Sequence, residues 1–269
     1  MCNRRYASLV SDPHLPHVVP NRFAQDAAGV SPIRQSEDCF GRPSQPARFH
    51  GERQDTSLPG WRRLAELIDD AVADRREVFR PLVDLSPAER QDLVTLPPTI
   101  ARLTRVKQLL LYGSPLVRIP PEIGAMESLE VFEPYTSRSL HWFPYELTRC
   151  RNLRDSTVST RSLYGNVKFR HPFPRLQQRG ALGEVADRDR LDPRSWGVEE
   201  IRACSVCSGP IDPARFRQVW ISLRLATDVL PLLVNACSTA CVQALPAPAK
   251  GYVMTPHQGG REIEQPKPW

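Results

Sequence analysis

Four of the seven cysteines stand in two tight pairs, Cys204 and Cys207 in CSVC and Cys237 and Cys241 in CSTAC. A CxxC turn can aim both thiolates at one tetrahedral ion. Two cysteines at i and i+4 share a helix face and can supply the other two ligands. Four thiolates leave no open position for water, so zinc held this way would be structural and not catalytic. Two other chemistries use the same residues. A redox CxxC wants a thioredoxin-like βαβ setting, which the surrounding sequence lacks, and buried free thiols need no setting at all. The odd total, which also includes Cys2, Cys39 and Cys150, argues against an extracellular disulfide scaffold.

The stretch between the pairs must position them. FRQVWISLRLA, 216–226, alternates as a strand or hairpin does. A knuckle, a hairpin and a ligand pair on a closing helix together describe a treble-clef finger. The CSxxC ending resembles FCS/MYM-type zinc fingers, although Ala236 replaces the aromatic residue that often precedes that pair. The resemblance implies zinc ligation by Cys204, Cys207, Cys237 and Cys241. His171 and His257 are alternative ligands by type, but a lone histidine is more often a plain surface residue. No GxSxG, P-loop, GxGxxG or HExxH occurs, so no catalytic residue is assigned and the chain reads as a non-enzyme.

Upstream, three segments align on Leu93, Leu116 and Leu140, with a fourth start at Leu163. The intervals are 23, 24 and 23 residues (116 − 93, 140 − 116, 163 − 140). Leu96, Ile119 and Phe143 coincide, each followed by a proline. Ile100, Ile123 and Leu147 coincide too, as do Val106, Leu129 and Leu153. The segment 93–163 resembles intracellular, bacterial-type leucine-rich repeats of the LxxLPxxIxxLxxLxxLxL kind. The resemblance covers about a quarter of the chain. It implies an α/β fold: a short solenoid of about three repeats, parallel strands on the concave face, a helical N-terminal cap and a small zinc-finger-like C-terminal domain.

The pattern places strands at 108–111, 131–134 and 155–158, with Leu109 and Leu111 inward. Leu110, Tyr112, Val131, Glu133, Tyr135 and Thr157 then face out as the partner-binding surface, because exposed aromatic and aliphatic clusters tend to mark contacts with proteins. Three departures from the pattern weaken the array. Ser114, Ser137 and Arg161 replace the ladder asparagine, Pro134 removes a strand donor, and Ser156 falls on an inward position. Trp142 aligns with Thr95 and Arg118, positions expected to be exposed, and is read as packing on the C-terminal domain. Cys150 aligns with Leu103 and Met126 and reads as a core residue.

From Thr148 to Arg179 the charge is 8 − 1 = +7, above the +6 of the whole chain. Arg149, Arg151, Arg154, Lys168 and Arg170, with aromatics between them, make nucleic acid the alternative partner. The weight of arginine over four lysines fits a GC-rich, bacterial coding sequence and tempers that reading. No h-region opens the chain and no apolar run is long enough to span a bilayer, so the sequence reads as soluble and cytoplasmic, without membrane partners.

The organisation expected is a disordered segment 1–56, a helical cap 57–92, repeats 93–176, a linker 177–203, a four-cysteine domain 204–245 and a flexible tail 246–269. The cap holds an amphipathic helix to about residue 78 and a shorter one opened by the capping box at Ser86 and Glu89.

Overall fold

The computed structural model of the chain describes residues 52–166, 172–176, 201–212 and 216–264. All of them fall in one of the chain's two units, 36–269. Most of the segment 1–56, Lys168, Arg170, His171 and most of the linker 177–203 lie outside the described residues.

Helix α1 runs over Pro59–Ala73 and buries Trp61, Leu64, Leu67, Ile68 and Ala71, the residues whose helical spacing announced it. It ends five residues earlier than expected, where Arg75 turns left-handed (φ 54°) and the Arg76 N–H returns to the Ala71 carbonyl. Gly60 is required, since a Cβ there would lie 2.1 Å from the Glu89 carbonyl oxygen. The chain continues through β1 (Val78–Phe79), α2 (Pro81–Asp84) and α3 (Pro87–Gln91). The predicted capping box forms at α3: the Glu89 N–H donates to Ser86 Oγ (3.3 Å) and the Ser86 N–H to Glu89 Oε2 (2.8 Å).

Strands β2 (Gln108–Leu110) and β3 (Val131–Glu133) continue a parallel sheet in the order β1-β2-β3. Gln108 lies opposite Val131, 131 − 108 = 23 residues away, so the strand register follows the leucine spacing. Each segment also carries a 3-10 turn, at Pro98–Arg102, Pro121–Ala125 and Tyr145–Arg149, whose apolar residues Ile100, Ile123 and Leu147 enter one core. Cys150 is buried there as expected and its thiol is pushed up to about 12 by desolvation.

Three expectations are corrected. The serines do form a ladder: Ser114 Oγ and Ser137 Oγ are 2.7 Å apart, and Ser137 Oγ donates to the Leu111 carbonyl (3.1 Å). A hydroxyl is short, but here it bridges neighbouring turns as an amide would. Second, the strand expected at 155–158 does not form. Only Asp155 bridges Val131, because Pro134 has no N–H to extend the pairing. Third, Thr95 and Arg118 are buried, not exposed. Residues 52–54 lie over that row: Gln54 Oε1 accepts from the Val94 and Thr95 N–H groups (2.7 and 3.3 Å) and Arg118 donates to the Glu52 carbonyl (2.9 Å).

A second sheet has the order β4 (Phe143–Pro144), β6 (Asp228–Ala236), β5 (Arg217–Leu225). The hairpin β5 (Arg217–Leu225) and β6 (Asp228–Ala236) turns at Ala226 (φ 53°) and Thr227. The apolar run in β6 is buried along its whole length because this strand is central. On its far side it pairs in parallel with β4 (Phe143–Pro144), placing Phe143 opposite Leu232. Val219, Ile221, Leu223, Leu230, Leu232 and Val234 thereby join the same core as the leucines of 93–163. The hairpin tip takes the place of the missing strand: Ser156 N–H donates to Thr227 Oγ1 (3.0 Å) and the Asp228 N–H donates to Ser156 Oγ (3.2 Å).

A second cluster on the other side of this sheet holds Trp142, Tyr164, Phe173, Leu176, Trp220 and Leu233. Trp142 therefore packs on the C-terminal part as read from sequence, its ring 6.0 Å from Trp220. Residues 246–264, read above as flexible tail, lie along β5. Ala249 N–H donates to the Ser222 carbonyl (2.8 Å), and Trp220 and His257 exchange backbone hydrogen bonds (2.7 and 3.1 Å). Among the described residues, no helix is long and apolar enough to cross a membrane.

His257 is buried against Phe173, with no partner for Nε2 among the described residues. Burial brings its imidazole down to about 4 from 6.5. The neutral ring thus favours folding fully above about pH 6.5, and that contribution is lost as pH falls through about 4. Glu122 and Glu146, raised by desolvation, titrate with the opposite sign, so the readout is a difference. Between pH 6.5 and 4 the wild type is expected to lose about 3 kcal/mol relative to a His257→Gln variant. Parallel urea-unfolding curves for the two proteins would refute this.

Candidate functional site

The Cys204 knuckle is a tight loop closed by the bridge between Ala203 and Pro210. Cys204 N–H donates to the Gly209 carbonyl (2.8 Å) and Ser208 N–H to the Cys204 carbonyl (3.0 Å), with Ser208 left-handed at φ 60°. The second pair straddles the end of β6 and the helix α4 (Thr239–Gln243). Ser238 caps this helix, accepting from the Cys241 N–H (3.2 Å), which sets Cys241 one turn beyond Cys237. Ser205 fastens the two halves: its N–H donates to the Asn235 carbonyl (2.8 Å) and its Oγ accepts from the Asn235 N–H (2.9 Å). Ile211 and Phe216 pack beneath Cys204 as a small separate core.

All four sulfurs lie within 4.8 Å of one another. Cys207 and Cys237 are 3.7 Å apart and Cys237 and Cys241 3.5 Å, too far for disulfides. A tetrahedral ion with metal–sulfur bonds of about 2.3 Å requires sulfur–sulfur edges of about 3.8 Å, so the cluster has the size of a metal site. Its acidity is uneven. Burial opposes ionisation of Cys204, but backbone N–H donors from Cys207, Cys237 and Val206 and the Cys207 thiol bring it down to about 7. Cys237, surrounded by the thiols of Cys241, Cys207 and Cys204, is pushed up to about 12. A thiolate thus forms readily at Cys204 and is opposed at Cys237. A dication removes that penalty. The arrangement is thus a four-cysteine cluster suited to a structural metal such as zinc, at the root of a hairpin sheet.

Of the residues predicted to face a partner, Leu110, Val131 and Glu133 lie in the parallel sheet, where they alternate with the buried Leu109 and Phe132. Leu110 lies opposite Glu133 and Gln108 opposite Val131. Beyond the strand ends, Tyr112 and Tyr135 are 39% and 44% exposed, their rings 6.0 Å apart. Leu110, Val131, Glu133 and Thr157 are half-buried. Thr157 donates to Asp155 (2.9 Å) instead of extending a strand. Desolvation, and then the nearby Asp155, raise the Glu133 carboxyl.

The described members of the basic set are less alike than their sequence suggested. Arg149 turns toward the knuckle and donates to the Ser205 carbonyl (3.0 Å), Arg154 pairs with Glu130 (2.7 Å), and Arg151 is exposed. His257 is far from being a surface residue and lies in the aromatic cluster, not among the cysteines. Sequence reading passed over Glu122 and Glu146. Both occupy the same place in successive 3-10 turns (146 − 122 = 24), a signal the alignment contained. No family model matches the chain, and no curated protein matches it either.

Proposed function

We propose that this protein is a non-catalytic binding module, cytoplasmic in operation, in which a short leucine-rich-repeat array presents a concave face to another protein. In this reading the four cysteines hold a structural zinc of treble-clef type, and the hairpin that carries them closes the array's open end. The observation that carries it is the Tyr112 and Tyr135 pair, two large rings held side by side and left well exposed beside Leu110 and Val131. Aromatic side chains in such pairs supply much of the energy of protein contacts. Nucleic-acid binding through the basic stretch is the alternative reading, since Arg151 and Arg154 remain largely exposed.

A Tyr112→Ala/Tyr135→Ala variant is expected to lose a partner that the wild type captures from its native lysate. With the captured protein purified, affinity should fall by about 2 kcal/mol or more, roughly thirtyfold, and change little with salt. Retention of binding by the variant, or captured material that disappears with nuclease and weakens steeply with salt, would overturn the reading and favour the basic stretch. Unchanged metal content and circular dichroism show that the variant is folded.

A further inference from the structure

The tyrosine face carries charge as well as rings. Glu133 stands across the pairing from Leu110. Alternate residues of a strand share a side and lie about 7 Å apart, which puts Tyr135 one such step beyond Glu133 and Val131 one step before it. Pairing continues past the strand ends, where the Gly113 N–H donates to the Tyr135 carbonyl (2.8 Å), and Tyr112 is thereby held beside Tyr135. On the other flank Val131 is bridged to Asp155. Two rings, an aliphatic floor and two carboxylates thus lie within the span of one long side chain.

Glu133 differs from the acids at the starts of the strands. Glu77 is paired with Lys107 (2.8 Å) and Glu130 with Arg154 (2.7 Å). Glu133 makes no ion pair or hydrogen bond among the described residues, and the charge that acts on it is a second carboxylate, that of Asp155. Asp155 is itself fixed by the hydroxyls of Thr157 and Thr227 (2.9 and 3.3 Å). Glu133 is half-buried and its oxygens are not sealed from solvent, so a ligand can reach them. Burial and repulsion both push its carboxyl up, and a cation offsets both.

A partner that covers the rings also covers Glu133. Burying a carboxylate without a counter-charge is costly, and an acidic partner would add repulsion. Two carboxylates, one of them already held by hydroxyls, are too few ligands for a divalent ion. We propose that the partner segment docking on this face is basic: an arginine, or a lysine in its place, lies against the Tyr112 and Tyr135 rings and donates to Glu133, with Asp155 adding its charge. This rests on the reading of the tyrosine face as the protein-binding surface. Arginine suits the place best, because its planar guanidinium stacks on a ring while its edge still donates to a carboxylate. A single half-buried pair is only weakly screened, so the shallow salt dependence expected of this face is kept.

The test is a selection of random dodecapeptides displayed on phage, run in parallel on four full-length proteins. These are the wild type and the Tyr112→Ala/Tyr135→Ala, Glu133→Gln and Glu133→Lys variants. Peptides retained by the wild type and lost by the tyrosine variant report on the face. They are expected to be enriched in arginine or lysine over the starting library. Synthesised, they should bind Glu133→Gln about tenfold more weakly than the wild type. Selection on Glu133→Lys should turn to peptides with aspartate or glutamate. Replacing the arginine of the tightest peptide by citrulline keeps its shape and removes its charge. That exchange should weaken binding to the wild type about tenfold and to Glu133→Gln much less, since the two groups act as a pair. Tyrosine-dependent peptides without basic enrichment, or bound equally by wild type and a folded Glu133→Gln protein, would overturn this inference and leave the tyrosine face standing. A selection that yields no tyrosine-dependent peptide would overturn both.

Discussion

Removing the metal with a chelator, or replacing Cys204 by serine, is expected to lower the melting temperature by about 10 °C or more. A four-thiolate zinc site contributes about 10–16 kcal/mol of apparent binding energy in small domains, and that energy is available only to the folded chain. Here the effect should spread. The hairpin that ends in the ligands shares one core with the leucines of 93–163, so loosening its root exposes Leu232 and Val234 and uncovers Phe143. Differential scanning calorimetry with and without chelator checks the size of the effect, and metal analysis should give one ion per chain. Substituted cobalt should show the intense visible bands of tetrahedral thiolate ligation. A protein that melts identically after its metal is stripped, or that purifies without any, would refute the structural-zinc reading.

Truncating Trp220 to alanine should be the most damaging single change away from the cysteines. Its side chain is fully buried and its Nε1–H donates to the Pro174 carbonyl (3.0 Å). Its ring lies 6.0, 5.7 and 5.6 Å from those of Trp142, Tyr164 and Phe173. Large-to-small changes of this kind cost about 3–5 kcal/mol through lost burial and the cavity left behind, and the orphaned carbonyl adds to it. Urea unfolding should show a lower midpoint with a similar slope. Trp220→Phe keeps most of the ring contacts and loses the hydrogen bond, so it should fall between the two. A loss below about 1 kcal/mol for the alanine variant would mean that the aromatic cluster is not a joint between the segments it appears in.

Leucine spacing made the inner residues legible. Side chains at the same place in successive 23- and 24-residue segments enter one core, and Leu109, Phe132, Ile100, Ile123 and Leu147 do so. Cysteine spacing made the four-cysteine cluster legible for a similar reason, since both pairs are local and geometry within five residues is predictable. What spacing could not reveal is contact between distant segments. Nothing at Thr95 or Arg118 announces burial, because the residues that cover them lie about forty and sixty-six positions away, at Gln54 and Glu52. The loss of a third strand was foreshadowed by Pro134, but its replacement by Thr227 and Asp228 depends on the hairpin's reach. The tail's course beside β5 rests on backbone hydrogen bonds, which carry no residue signature.

The parallel pairing of Phe143 with Leu232 joins positions separated by 232 − 143 = 89 residues. A ribosome adding about 5–20 residues per second needs several seconds to cover that distance. Over that interval the nascent chain displays an apolar edge, Trp142 to Pro144, whose covering strand does not yet exist. Such an edge invites pairing with the wrong strand. The order of synthesis therefore makes the hairpin, with the 246–264 segment that follows it onto β5, a late piece of this fold, and the wait for it the interval in which the growing chain has most need of a chaperone.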